Sequence, residues 1–248
     1  MTTGRRVVAI TGAGGALGSA VSKQLAGEPA TDLLLSDVSA SSLQATLDGL
    51  AATDGSVESM LADVSDFAQV EAVVARTVER FGQLDVLISN AGVLSPNGRI
   101  HNLATEDWER AFRINVLGAV NGIRAAVAVM RPRRSGSIVL TASVAGLTAW
   151  SHAAPYCATK AAVIQLAKVA AVEYARDGIR VNCVCPGTFV SAIHADLPQE
   201  ALDAQAERHP LGLGSATDLV GAYSYLAGDA STWTTGSAMV VDGGYSAP

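Results

Sequence analysis

The sequence predicts an α/β fold: a doubly wound, seven-stranded parallel sheet with helices on both faces, in a single domain spanning residues 1–248. Three observations predict it. Short apolar runs alternate with helix-period segments along the whole chain. The first run opens directly into a glycine-rich turn. Polar residues capable of chemistry then recur at the ends of successive strands, where such sheets bind their ligands. No linker, low-complexity tract or second domain interrupts the alternation, and right-handed crossovers are expected throughout.

Residues Arg6 to Thr11 form a β-branched run ending in Gly12-Ala13-Gly14-Gly15-Ala16-Leu17-Gly18, and Leu17, Val21 and Leu25 then repeat at helical spacing. Strand, glycine turn and helix together aim free backbone N–H groups and a positive helix end at a phosphate. Glycines serve there because a Cβ blocks both the turn and the approach of a pyrophosphate. The common dinucleotide fingerprint requires glycine at position 17, where this chain has Leu17. Alone, the turn is equally readable as a tight turn and nothing more.

Leu33 to Asp37 is the second strand, ending in an acid nineteen residues past Gly18. A carboxylate there can accept both ribose hydroxyls of an adenosine and repels a 2′-phosphate. Asp37 and Ser39 also precede a helical pattern (Leu43, Leu47, Leu50), so capping is a compatible role. With no Arg or Lys in the glycine turn or at Val38, NAD is favoured over NADP.

Val57 to Leu61 is the third strand, followed by Asp63-Val64 and a helix from Phe67 to Phe81. Leu84 to Ile88 is the fourth, ending in Ser89-Asn90-Ala91-Gly92. A long helix from about Thr105 to Met130 carries Asn115 and Asn121. Asn115, between Ile114 and Val116, needs a partner, since an unpaired buried amide costs about 1–3 kcal/mol; for Asn121 a water-facing position is left open. A Ser137–Thr141 strand leads to Ser143, and Tyr156 and Lys160 follow four apart on one helix face. The Ile179–Cys185 strand, Pro186-Gly187-Thr188, a looser stretch over about 188–214, a Thr217–Ala227 helix and an Ala238–Val241 strand complete the chain.

Tyrosine ionises near pH 10, so bringing it near neutrality takes about three pKa units, or roughly 4 kcal/mol of preference for the phenolate. The Lys160 charge is the obvious local source. A Tyr and a Lys at this spacing also describe a surface pair; convergence with the other strand ends favours a site.

Composition narrows the function. The chain is 49% hydrophobic and 16% charged, with formal charge −6. A mild negative charge argues against nucleic-acid binding, and Arg131-Pro132-Arg133-Arg134 reads as a solvated helix end. No run of 18 apolar residues predicts a membrane span, and the five-residue apolar run near the N-terminus is too short for a secretory signal. Cys157, Cys183 and Cys185 read as small buried hydrophobes rather than metal ligands or disulfide partners. A soluble cytoplasmic protein without metal is expected.

Over essentially its whole length the chain resembles the short-chain dehydrogenase/reductase family of the Rossmann type. The resemblance is carried by Thr11-Gly12 with Gly18, Asp63, Asn90-Ala91-Gly92, Asn115, Ser143, Tyr156 with Lys160, Arg180-Val181-Asn182, Pro186-Gly187 and Val241-Asp242-Gly243-Gly244. It implies that Tyr156 is the general acid/base, that Lys160 lowers its pKa and holds the nicotinamide ribose, and that Ser143 orients the substrate oxygen. Asn115 would hold a water linking Lys160 to solvent. The implied cofactor site comprises Gly12, Gly14, Gly15, Leu17, Gly18, Asp37, Asp63, Val64, Asn90, Ala91, Gly92, Tyr156, Lys160, Pro186, Gly187, Phe189 and Ser191. Two positions depart from the family pattern: Ala16 stands where a glycine is usual, and Ser191 where a threonine is.

The expected activity is hydride transfer between NAD(H) and a secondary alcohol or ketone, small to medium, hydrophobic, cyclic compounds included. The alternatives are an NADP-dependent 3-oxoacyl thioester reductase and a non-catalytic dinucleotide-binding module. The resemblance draws the substrate pocket from residues 93–98, 144–152 and 188–210. Leu94, Val144 and Trp150 are its expected apolar wall, along with Leu147, Phe189, Ile193 and Leu197, and His152 and His194 its polar members. Both histidines also read as exposed loop residues, and Val144 to Ala149 as core. The alanine-rich helix after Lys160 has more than one apolar face, and the family resemblance implies a homotetramer.

Overall fold

The computed structural model describes residues 4–51, 53–191 and 199–247. The strands are β1 (Arg6–Thr11), β2 (Thr31–Asp37), β3 (Val57–Leu61), β4 (Val86–Ser89), β5 (Gly136–Thr141), β6 (Ile179–Pro186), the two-residue β7 (Phe189–Val190) and β8 (Gly214–Ser215), and β9 (Ala238–Val241). Seven of them form one parallel sheet in the order β3-β2-β1-β4-β5-β6-β9, while β7 and β8 pair separately. The order reverses between β1 and β4, which opens a crevice at the carboxyl ends of those strands.

The strands read as unbroken apolar runs because both faces are covered. Helices α1 (Ala16–Ala26), α2 (Ala40–Asp48) and α8 (Ala216–Ala227) pack on one face, meeting Val8, Ile10, Leu33, Leu35, Val139 and Val184. On the other face lie α3 (Phe67–Phe81), α5 (Gly118–Met130) and α6 (Ala154–Tyr174), against Ala9, Leu87, Ile138, Leu140, Cys183 and Cys185. Alternate residues of one strand thus enter opposite cores, as the two-residue period of a strand requires. Cys183 and Cys185 are buried, as expected, whereas Cys157 is only partly buried; the three cysteines are free thiols.

Three features differ from the sequence reading. The helix expected from Thr105 to Met130 begins as α4 (Thr105–Ala111), passes through a π-helical segment at Phe112–Leu117, and resumes as α5. The wide turn holds Asn115, and such turns tend to occur at functional sites. Second, the looser stretch contains the helix α7 (Gln199–Ala206) and the β7–β8 pair. Third, Asn121 does not face water: it is buried, and its Nδ2 donates to the Val64 carbonyl at 2.9 Å. By length and composition the helical stretch Thr105–Arg133 could cross a membrane, but half of its most apolar window is buried in the protein. The Arg180–Asn182 motif is structural: Arg180 donates to the Leu226 carbonyl at 3.0 Å, and Asn182 bonds Thr234 O and Ser237 N at 2.8 and 3.0 Å.

Candidate active site

The crevice between β1 and β4 holds a cavity of about 540 Å³, within the range of cofactor and ligand sites. Its floor begins at the glycine turn. Gly12 has φ +66°, and a Cβ on Gly18 would stand 2.1 Å from the Gly12 carbonyl, so no other residue fits there. Helix α1 has no side-chain cap at Gly15, which leaves the first backbone N–H groups of the helix without a side-chain acceptor beside Gly15, Ala16 and Leu17 in the cavity wall. That is a phosphate-binding arrangement. Ala16 adds its methyl group to the wall and leaves the turn open.

Asp37 lies at the far end of the same wall. Its Oδ2 accepts from Gly14 N at 2.9 Å and its Oδ1 from Ser39 N at 2.9 Å. Each oxygen keeps a further lone pair for a ribose hydroxyl. Gly14 therefore anchors Asp37 to the turn and is not itself a wall residue; the capping role falls to Ser39, which accepts from Ser42 N. Asp63, Val64, Asn90, Ala91 and Gly92 line the middle of the cavity. Thr11 Oγ1 accepts from Asn90 N and Ala91 N at 3.1 and 3.3 Å, while Asn90 Nδ2 donates to Gly12 O at 3.0 Å, locking β4's turn to the glycine turn. Pro186, Gly187, Phe189 and Ser191 close the other side.

Ser143, Tyr156 and Lys160 meet in this cavity, with the glycine turn and Asp37 in the same lining. Ser143 follows β5 and accepts from Ala145 N at 3.1 Å; Tyr156 and Lys160 share a face of α6. Lys160 is buried, and its Nζ donates to the Thr141 carbonyl at 2.8 Å. Burial lowers the Lys160 pKa to about 8. Burial likewise pushes the Tyr156 phenol up, opposed by a hydrogen bond with Ser143. Lys160 Nζ stands 5.7 Å from the Tyr156 ring centre, and at that distance it does not offset the desolvation. Desolvation therefore prevails, and the phenol stays raised in the protein alone.

Asn115 is not in the cavity wall. Its Oδ1 accepts from Val93 N at 2.8 Å, and its Nδ2 donates to Val93 O and Thr159 Oγ1 at 2.9 and 3.0 Å. One Oδ1 lone pair remains for the solvent link that the resemblance implies. A Cβ on Gly92 would stand 3.2 Å from this oxygen and 3.3 Å from Lys160 Nζ, so the two groups flank the same point.

The substrate side is corrected more heavily. Leu94 and Trp150 line the cavity as expected. Val144 is fully buried in the core and Leu147 is half exposed, neither of them in the wall. His152 is an exposed residue with φ +67°, bonded to Ser151, and also outside the wall. Ile193, His194 and Leu197 lie outside the described residues. Sequence reasoning missed Arg110 and Ile114, which line the cavity from α4 and the π segment, while Gln205 of α7 lines it from within the expected 188–210 stretch. Positions 110 and 114 share a helix face, a signal that becomes useful once the segment is known to meet the site. It also missed His209: this buried ring accepts from Thr188 N at 3.2 Å, bonds Gln205 O at 2.8 Å, and stacks on Tyr245 at 4.8 Å, fixing the loop after Gly187.

Residues 12–246 match a family model described as "Enoyl-(Acyl carrier protein) reductase". Levodione reductase of Leifsonia aquatica is 34% identical over 98% of this chain and 94% of its own. A crystal structure of levodione reductase, 34% identical, superposes with a TM-score of 0.91, covering 98% of both chains. Cis-4-hydroxycyclohexanecarboxylate dehydrogenase of Sinomonas cyclohexanicum is 34% identical over 98% of this chain and 97% of its own. NAD+-bound xylitol dehydrogenase, 28% identical, superposes with a TM-score of 0.89 over 96% of this chain and 98% of that one.

Proposed function

The chain belongs to the short-chain dehydrogenase/reductase family, and from that premise we propose that it interconverts a secondary alcohol and its ketone with NAD(H), on small to medium hydrophobic, including cyclic, substrates. The observation that carries this reading is the convergence of Ser143, Tyr156 and Lys160 in one cavity with the glycine turn and Asp37. The apolar wall of Leu94, Trp150 and Phe189, and the ring compounds named for two relatives, support the substrate class.

NAD, held by the glycine turn and Asp37, would supply the hydride acceptor, and its positive charge would add to the field that favours the phenolate. Tyr156 takes the hydroxyl proton of the alcohol at its phenolic oxygen, and returns it in the reverse direction. Ser143 and Tyr156 hydrogen-bond the oxygen on which charge develops, so their stabilisation is greatest in the transition state. Lys160 holds positive charge beside the phenol, and Asn115 fixes Val93 behind it. Incubating the protein with NAD and a panel of cyclic and acyclic secondary alcohols, while following nicotinamide absorbance, tests the reading. Tight NAD binding without reduction of any alcohol would leave the non-catalytic dinucleotide module instead.

The competing reading is an NADP-dependent 3-oxoacyl thioester reductase; a 3-oxoacyl-[acyl-carrier-protein] reductase of Thermotoga maritima is 33% identical over 96% of this chain and 97% of its own. Asp37 opposes it. The double substitution Asp37→Ser with Val38→Arg is expected to move the ratio of kcat/KM for NADP over NAD by roughly 10- to 100-fold, the worth of one charged hydrogen bond. A native preference for NADP, measured in the same assay, would overturn the role given to Asp37.

We also propose a cytoplasmic homotetramer. Val172 is 81% exposed, Val169 44%, and Trp233 fully exposed, apolar surface suited to subunit contacts. Light scattering at micromolar concentration is expected to give four times the 25.3 kDa chain mass; a monomer would contradict it.

A further inference from the structure

We propose that Tyr223 and Thr141 form a buried tether that positions Lys160 and the Asn90 turn relative to each other, making Tyr223 a positioning residue for the reaction. This rests on the reading of Tyr156 and Lys160 as the catalytic pair. Tyr223 sits on α8, on the sheet face opposite α6, and is wholly buried in the core around Val139 and Val184. Its hydroxyl lies 2.8 Å from Thr141 Oγ1. Thr141 has one hydroxyl proton, and it is donated to Asn90 Oδ1 at 3.2 Å. Tyr223 is therefore the donor to Thr141. Burial pushes the Tyr223 pKa up, so its proton stays in place across the working pH range.

Each end of this chain reaches one half of the site. From Asn90, Nδ2 donates to Thr11 O at 3.3 Å and Gly12 O at 3.0 Å, the start of the phosphate turn. From Thr141, the backbone carbonyl accepts the Lys160 ammonium at 2.8 Å. Pinning the Thr141 side chain between Tyr223 and Asn90 fixes the residue whose carbonyl holds the lysine. Packing alone does not call for the hydroxyl, because phenylalanine fills the same apolar space and a buried hydroxyl is costly unless bonded. The hydroxyl is explained by the bond it donates.

The test compares Tyr223→Phe, Thr141→Val, Thr141→Ser and the double variant Tyr223→Phe with Thr141→Val. Without the tether, Lys160 favours the phenolate less. The kinetic pKa on the acid limb of kcat/KM for alcohol oxidation is then expected to rise in Tyr223→Phe, with about a tenfold loss of turnover at pH 7. Thr141→Val is expected to show the same shift, and the double variant no more than the larger single one. Thr141→Ser, which keeps the hydroxyl, is expected to retain the wild-type kinetic pKa. The dissociation constant for NAD, followed by quenching of tryptophan fluorescence, is expected to rise a few-fold in Tyr223→Phe as the Asn90 turn loosens. A Tyr223→Phe enzyme with lowered thermal stability but unchanged pH profile, turnover and NAD affinity would show the hydroxyl to be structural only, and would overturn the tether. If Thr141→Val does not fold, Tyr223→Phe decides alone. An active Tyr156→Phe enzyme would instead sink the underlying reading, whatever Tyr223 does.

Discussion

Tyr156→Phe is expected to lose about two to three orders of magnitude or more in turnover, the range of a single general acid–base group, while binding NAD within a few-fold of the wild type. The substitution removes one oxygen and leaves the ring that packs 6.2 Å from Trp150. Fold and cavity shape are thereby preserved, and so is the glycine turn that supplies the phosphate contacts. What is lost is the proton acceptor and one of the two hydroxyls facing the reacting oxygen, an interaction strengthened as charge develops. Such a loss falls on kcat rather than on binding. Single-turnover absorbance measurements of nicotinamide reduction, with equilibrium NAD binding in parallel, separate the two. Near-normal turnover in this variant would remove Tyr156 from the chemistry. The pH dependence has a set direction. Because burial raises the phenol in the protein against the hydrogen bond with Ser143, oxidation is expected to speed up as pH rises. The same group protonated serves reduction, which is expected to favour lower pH.

Much of this site was legible in the sequence, for a local reason. Parallel strands covered on both faces appear as unbroken apolar runs, and whatever follows each run is carried to the same edge of the sheet. Gly12, Asp37, Asp63, Asn90 and Ser143 could be placed there without coordinates. The failures share a cause of their own. Thr141 and Tyr223 are 82 residues apart, Asn121 and Val64 57 apart, and His209 and Thr188 21 apart. Contacts made across the fold leave no periodicity in the chain. The sequence therefore left Asn121 open to a solvated position and gave no sign of the Tyr223 contact. The π segment at Phe112–Leu117 alters the helical phase, which hid the meeting of Ile114 and Arg110 with the cavity. Val144 failed differently: it stands one residue after Ser143, yet its side chain turns into the core and is wholly buried. Neighbourhood in sequence does not fix direction in space.

Lys160→Met carries the second large effect, and it separates catalysis from stability. Turnover is expected to fall at least as far as in Tyr156→Phe, but here NAD affinity is expected to fall too, because Lys160 lines the cavity and is the residue proposed to hold the nicotinamide ribose. Stability moves in a pH-dependent way. Burial lowers the lysine from 10.5 to about 8, so between those values the unfolded chain binds more protons than the folded one. Stability of the wild type therefore rises with pH across that window, and the cost of burying the charge is fully present below pH 8. A shift of this size corresponds to roughly 3 kcal/mol. Methionine has no proton to lose and is free of that cost. It does leave the Thr141 carbonyl without its donor, a penalty of about 1–3 kcal/mol that does not change with pH. The two terms nearly cancel at pH 7, so the difference in Tm between variant and wild type is uninformative at one pH. Its slope is the measurement. From pH 7.5 to 10 the wild type is expected to gain on Lys160→Met by several degrees, at about 2–4 °C per kcal/mol for a chain of this length. A difference in Tm that stays flat over that range would mean that Lys160 titrates as it does in water, and that its charge is not held buried beside Tyr156.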